Sequence, residues 1–205
     1  MLKLYDLERS GNCYKVRLLL SLMEMEYEKV PVDANAGENR TPEFLALNPR
    51  GQLPVLDDDG RVVWDSTAIL IYLAGTYGSG SWMPGDHYGF AKMVQWLALE
   101  QNEGRYGLAR ARAIALGNPT SFARTGNLDE CKALAHTALE VLESELVNSP
   151  WLVGEEISIA DIACYPYVAL AQEGGISTGE YRAVEQWLRR LEGLPNYVSP
   201  PRLRA

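Results

Sequence analysis

The sequence has 205 residues, 47% of them hydrophobic, enough to bury a sizeable core in one large or two small domains. Its formal net charge of -8 at pH 7 argues against a nucleic-acid or anionic-membrane partner, and no apolar run approaches the roughly 20 residues that span a bilayer. Three widely spaced cysteines (Cys13, Cys131, Cys164) and two isolated histidines (His87, His136) offer no disulfide framework and no metal-ligand spacing, so a reducing, cytoplasmic setting without a metal is expected.

Residues 2–6 alternate apolar and polar side chains, as a half-buried strand does. LERSGN (residues 7–12) reads as a loop in which Gly11 permits an unusual backbone. Residues 13–25 place Val16, Leu19, Leu20 and Met23 three and four apart, which predicts an amphipathic helix. YEKVPV (residues 27–32) is a second strand, and Pro31 within it suggests a sheet edge. Two strands joined by a helix make a parallel, right-handed crossover. Thr41 and Pro42 then fit the cap and first position of a short helix carrying Phe44, Leu45 and Leu47.

The stretch NPRGQLPVLDDDGRVVWDS (residues 48–66) reads as loop, strand, tight turn, return strand and helix start. Pro54 cannot donate a ladder hydrogen bond, so it belongs at a strand start, an edge or a bulge. A cis Leu53–Pro54 bond is one option that carries chemistry, since it turns the N–H and C=O of Leu53 outward toward an extended peptide. Asp58, Asp59 and Gly60 supply the turn. Asp65 and Ser66 open the helix TAILIYLA (residues 67–74), whose free N–H groups and positive dipole end face the same cleft. Arg50 and residues 57–59 read as solvated surface.

Residues 75–86 (GTYGSGSWMPGD) have linker composition. Beyond them the pattern is helical throughout. Residues 88–116 carry Phe90, Met93, Val94, Leu97 and Leu108 at helical spacing, with a bend expected at Gly104 and Gly107. Residues 128–146 form a second long amphipathic helix with Leu134, Leu139, Leu142 and Leu146 on one stripe. In ISIADIACYPYVAL, Ser158 and Asp161 form a capping box, with Ile157 and Ile162 as its hydrophobic staple. A last helix covers residues 181–191.

The order β-α-β-α-β-β-α is that of a thioredoxin-like α/β module, here followed by an all-α C-terminal half. With SGNCYKVR (residues 10–17), NPRGQLPVL (residues 48–56), DSTAILIYL (residues 65–73) and ISIAD (residues 157–161), the chain resembles the glutathione S-transferase family over nearly its whole length. The resemblance implies a thioredoxin-like glutathione-binding domain over residues 1–76, a linker over 77–86 and a helical domain over 87–205. It also implies a transferase that holds the thiol of glutathione, its co-substrate, as the thiolate for attack on a small electrophilic or peroxide substrate, with peroxidase or disulfide-reductase chemistry as variants. The family's dimers imply a homodimer. A glutathione-dependent isomerase or dehalogenase, and a non-catalytic interaction module on the same fold, are the alternatives.

Residue by residue, Ser10 matches the activating hydroxyl of serine-type members, and Asn12 matches the asparagine of a bacterial and fungal branch, so both are candidate thiol donors. Tyr5 is read as a core or cleft-wall residue and Cys13 as a core-facing cysteine. For the tripeptide, Leu53 beside Pro54 would pair through its backbone, Asp65 would meet the γ-glutamyl ammonium, and Ser66 its carboxylate. Gln52 and Arg40 would stand at the glycyl end. Asn102, Arg105 and Tyr106, with Arg110 and Arg112 nearby, are candidates for the second-substrate site.

Overall fold

In the computed structural model, which describes residues 1–118 and 121–202, a mixed sheet with helices is followed by a helical half. The first part comprises β1 (Leu2–Asp6), α1 (Gly11–Leu22), β2 (Glu28–Pro31), α2 (Pro42–Leu47), β3 (Val55–Asp58), β4 (Arg61–Trp64) and α3 (Ser66–Tyr77). The sheet order is β2-β1-β3-β4, parallel between β1 and β2 and antiparallel across β1-β3 and β3-β4. Pro31 accordingly sits on an edge strand, where a missing N–H is tolerated. Asp59 and Gly60 turn between β3 and β4 with φ of 47° and 89°, backbone that this residue pair adopts at low cost.

Helix α1 starts at Gly11, earlier than hydrophobic spacing indicates, because Ser10 caps it: its Oγ accepts from Cys13 N at 3.3 Å. Periodicity detects where a helix becomes amphipathic, and a polar first turn escapes it. The reading of residues 57–59 as solvated needs correction at Asp58. That carboxylate is buried and accepts hydrogen bonds of 2.6 Å from both Tyr72 and Tyr77 hydroxyls. These hydrogen bonds hold Asp58 below the usual carboxylate range and push Tyr77 up to about 12.

The helical half begins with α4 (His87–Leu99), continues as a π-helical segment (Glu100–Ala109) and then as α5 (Arg110–Ala115). The bend expected at Gly104 and Gly107 is therefore a stretch of wider turns in a helix that runs on. Gly107 has a packing reason: a Cβ there would lie 2.6 Å from Ala135 N, so a side chain would force the π segment away from its neighbour. That neighbour is α7 (Leu128–Leu146), whose buried stripe is Cys131, Ala135, Ala138, Leu139, Leu142 and Leu146, with Leu134 at its margin. Before it lies α6 (Ser121–Arg124), too short for any periodicity to announce.

Next come α8 (Ile159–Ala169) and α9 (Arg182–Glu192). The capping box of α8 is present as expected, with Asp161 accepting from Ser158 N at 2.9 Å. The fully buried Asp161 carboxylate also accepts from Leu152 N at 3.0 Å and Trp187 Nε1 at 2.9 Å, which joins three stretches of chain. One apolar core runs through both halves, from Leu4 and Leu19 to Ile162 and Trp187, and packs α1 against α8 and α3. That contact positions the first turn of α1 beside residues far away in sequence.

Candidate functional site

The first turn of α1, the start of α3 and α8 converge on one side chain, Asn12, and the π segment reaches it through Lys15. Its Oδ1 accepts from Tyr167 Oη at 2.7 Å, Lys15 Nζ at 2.8 Å and Ser66 Oγ at 3.2 Å. Lys15 decides which way the amide faces. An ammonium has donors and no acceptor, so the oxygen of Asn12 must be the atom that meets it. The Nδ2 group is thereby turned away from the cluster, and it makes no hydrogen bond to the described residues.

Lys15 is fully buried, paired with the equally buried Glu100 at the start of the π segment, and its ammonium lies 4.1 Å from the centre of the Tyr167 ring. Burial opposes its charge, but the Glu100 carboxylate and Tyr167 outweigh that and hold the Lys15 pKa above its ordinary value. The network continues. Glu100 Oε2 accepts from Gln101 Nε2 at 3.0 Å, and the same amide reaches Thr67 Oγ1 at 3.1 Å in the first turn of α3. Arg105 Nη1 donates to Gln101 Oε1 at 3.3 Å.

Ser10 has a different environment. Besides capping α1 it faces the Cys13 thiol, which is fully buried and accepts from Leu7 N at 3.4 Å. Burial pushes the Cys13 thiol up to about 12, with the Ser10 hydrogen bond opposing only in part. Tyr5 packs edge-on against Phe44, as a core or wall residue does.

The Leu53–Pro54 bond is cis, and the N–H and C=O of Leu53 have no partner among the described residues. Pro54 is buried and Gln52 exposed, with the Gln52 carbonyl accepting from Asn48 Nδ2 at 2.8 Å. Asp65 caps α3 through Oδ1, which accepts from Thr67 N at 3.0 Å, and its backbone has φ of 77° and ψ of 127°, a positive-φ conformation outside the left-handed helical region that few non-glycine residues adopt. Its Oδ2 lies 3.4 Å from Arg50 Nη1. Arg50 is exposed, in line with the reading of solvated surface, and stands beside a candidate binding carboxylate. Ser66 is buried with its hydroxyl committed to Asn12, and its backbone N–H at the helix start has no acceptor among the described residues. Arg40 is exposed and donates to the Arg50 carbonyl at 3.1 Å.

Of the second-substrate candidates, Arg105 and Tyr106 come together in a cluster with Arg110 and Phe122. The Arg110 guanidinium lies 4.8 Å from the centre of each ring, and neither arginine forms an ion pair among the described residues. Asn102 is exposed and bonds back to Ala98 O at 2.9 Å, outside this cluster. Arg112 is tied to Glu173 at 2.6 Å. Glu100 and Tyr167 are the functional candidates that sequence reasoning missed, while Lys15, which belongs to the run after Asn12 that carries the resemblance, had no role assigned to it. The spacing is informative, since Lys15 lies three residues after Asn12 on one face of α1. Among the described residues no group of three or more His, Cys, Asp or Glu is placed to hold a metal ion.

Residues 1–75 match the family model described as glutathione S-transferase, N-terminal domain, and residues 116–195 match its C-terminal domain. The chain is 30% identical to the disulfide-bond oxidoreductase YfcG of Escherichia coli K12, over 90% of this chain and 87% of that one. It is 28% identical to the glutathione S-transferase GstB of the same organism, over 95% of each. Its structure superimposes on a crystal structure of a glutathione S-transferase from Pseudomonas fluorescens with a TM-score of 0.89 and 37% identity, over 97% of this chain and 98% of that one.

Proposed function

The chain belongs to the glutathione S-transferase family, and on that premise we propose that it binds glutathione between Leu53 and the start of α3, holds the sulfur as the thiolate beside Asn12, and directs it at a small electrophile. An ordinary thiol titrates near 8.5, so most of it is protonated at pH 7. Lowering that value by about two units takes roughly 2.7 kcal/mol of preference for the anion. An amide N–H with no other partner, set in the first turn of a helix, supplies a donor and a positive dipole end together. The observation that carries this reading is the fixed orientation of Asn12, whose oxygen is engaged by Lys15. In this reading Asn12 is the thiol donor, and Ser10, the other candidate, supports the helix start.

The unpartnered N–H and C=O of Leu53 suit pairing with the cysteinyl residue of the tripeptide. The γ-glutamyl ammonium goes to Asp65 and its carboxylate to the Ser66 N–H, with Gln52 and Arg40 at the glycyl end. The second substrate lies toward Arg105 and Tyr106. Cys13, buried with a raised pKa, takes no part. Where the co-substrate is a disulfide, a reading favoured by the similarity to the Escherichia coli oxidoreductase, the bound thiolate attacks one sulfur and the other leaves as a thiolate. The linker that divides a glutathione domain from a helical one covers residues 78–86, one fewer than the 77–86 read from the sequence, because Tyr77 still belongs to α3. Val62 and Trp64 on β4 and Phe90 and Val94 on α4 are each more than a third exposed, apolar surface that a second copy would cover in a cytoplasmic homodimer. Retention on immobilised glutathione, with turnover of chlorodinitrobenzene or cumene hydroperoxide, tests the reading. Failure of all three removes it.

A further inference from the structure

We infer that Lys15 is a positioning residue for the thiol: paired with Glu100, it locks the Asn12 amide with Nδ2 toward the glutathione sulfur. This rests on the reading that Asn12 meets that sulfur. Its basis is the asymmetry among the three groups around Asn12 Oδ1. The Tyr167 and Ser66 hydroxyls can each donate or accept, so with those two alone the amide satisfies its partners in either orientation. One of the two presents an oxygen to the sulfur, and an acceptor facing a thiolate raises the thiol pKa instead of lowering it. An ammonium removes the choice, because it cannot accept.

A buried ammonium needs a counter-charge, and Glu100 provides it from the helical half. The titratable groups facing Lys15 are Glu100 on the π segment and Tyr167 on α8, while the Cys164 thiol on α8 and Arg105 on the π segment share their field. The aromatic face of Tyr167 at 4.1 Å adds a further stabilising contact for the cation. The ion pair thereby makes the helical half part of the device that ionises a thiol held by the sheet half. A cation hydrogen-bonded to the amide oxygen also draws electron density away from Nδ2–H, which strengthens it as a donor to an anion.

The alternative is that the Lys15–Glu100 pair only holds the two halves together. Removing both charges at once distinguishes the two roles, because replacing a buried pair with apolar residues of similar volume is often neutral for stability, whereas removing one partner is not. The experiment compares wild type, Asn12→Ala, the double variant Lys15→Met/Glu100→Leu and the single variant Glu100→Gln. Each is assayed at saturating glutathione with chlorodinitrobenzene as a function of pH, where the midpoint reports the thiol in the complex. A thermal melt and the KM for glutathione are measured alongside.

The inference expects the double variant to melt near wild type while its midpoint rises by about one unit or more, with KM for glutathione changed less than about threefold. Glu100→Gln should shift the midpoint in the same direction, and adding Asn12→Ala to the double variant should shift it no further. A wild-type midpoint in both the double variant and Glu100→Gln, with Asn12→Ala raised, overturns the inference and leaves the function of Asn12 standing. An unchanged midpoint in Asn12→Ala overturns the reading beneath it.

Discussion

Lys15 Nζ stands 2.8 Å from Asn12 Oδ1, so a buried cation and an amide of the first turn share one face of α1. Ser10, just ahead of the helix, turns the other way, toward Cys13 N. The two candidate donors at the end of β1 are therefore not equivalent. One has an amide group with nowhere else to go, and the other is occupied with starting a helix.

Ser10→Ala should cost about 1 kcal/mol of stability, the usual consequence of losing an N-cap. The pH midpoint of the saturated reaction should stay within about half a unit of wild type. Denaturant unfolding and the pH profile together check this. A stable Ser10→Ala protein with a midpoint raised by two units would return the activating role to the serine.

Asp65→Asn should weaken glutathione binding by about tenfold or more, since it removes a charged partner for an ammonium. Asparagine is as good an N-cap as aspartate and nearly the same shape, so the start of α3 survives the change. Arg50→Ala should leave binding equal or stronger. Its pair with Asp65 is 44% exposed on the Arg50 side and holds little, and its loss frees Oδ2 for the ligand. Calorimetric titration with glutathione measures both.

The cysteines should resist alkylation in the native protein. Cys13 is fully buried with its thiol raised to about 12, so raising the pH from 7 to 9 leaves it protonated and the labelling rate low. Cys164, also raised well above its ordinary value by burial, and Cys131, raised less, should label slowly too. Iodoacetamide labelling followed by mass spectrometry, before and after unfolding, reads this out. Rapid labelling of native Cys13 would make it a nucleophile after all.

Asp161→Ala should destabilise the fold by about 3 kcal/mol or more, because Leu152 N, Ser158 N and Trp187 Nε1 lose a buried acceptor together. Catalysis per folded molecule should be unaffected, since none of these groups approaches Asn12. The midpoint of chemical denaturation decides the first part and turnover of the folded fraction the second.

Much of this fold is legible in the sequence. The β-α-β-α-β-β-α order, the Asp-Gly turn, the edge position of Pro31 and the Ser158/Asp161 capping box are local patterns with local causes. The candidate site is legible in part: the resemblance, together with their places at helix starts or strand ends, points to Asn12, Ser10, Leu53 and Asp65. What binds Asn12 was not legible. Tyr167 is 155 residues away in the chain. A lysine and a glutamate on amphipathic helices read as solvent-facing until the helices are packed, and only then does the burial of Lys15 and Glu100 emerge. Asp58 was hidden in the same way, as a charge whose partners lie on another element. The π segment was legible only as a bend at its glycines, since Gly107 serves an approach to α7 and Gly104 lies against Tyr167 of α8, neighbours that the sequence of either helix alone does not reveal.

The central claim is that bound glutathione is a thiolate facing the amide of Asn12, and the ultraviolet absorbance of the thiolate measures it directly. Titrated with pH in the complex, the wild-type midpoint should fall about two units below the free thiol value near 8.5, and in Asn12→Ala it should return most of the way. A wild-type midpoint equal to that of free glutathione, or an Asn12→Ala midpoint equal to wild type, would contradict the account.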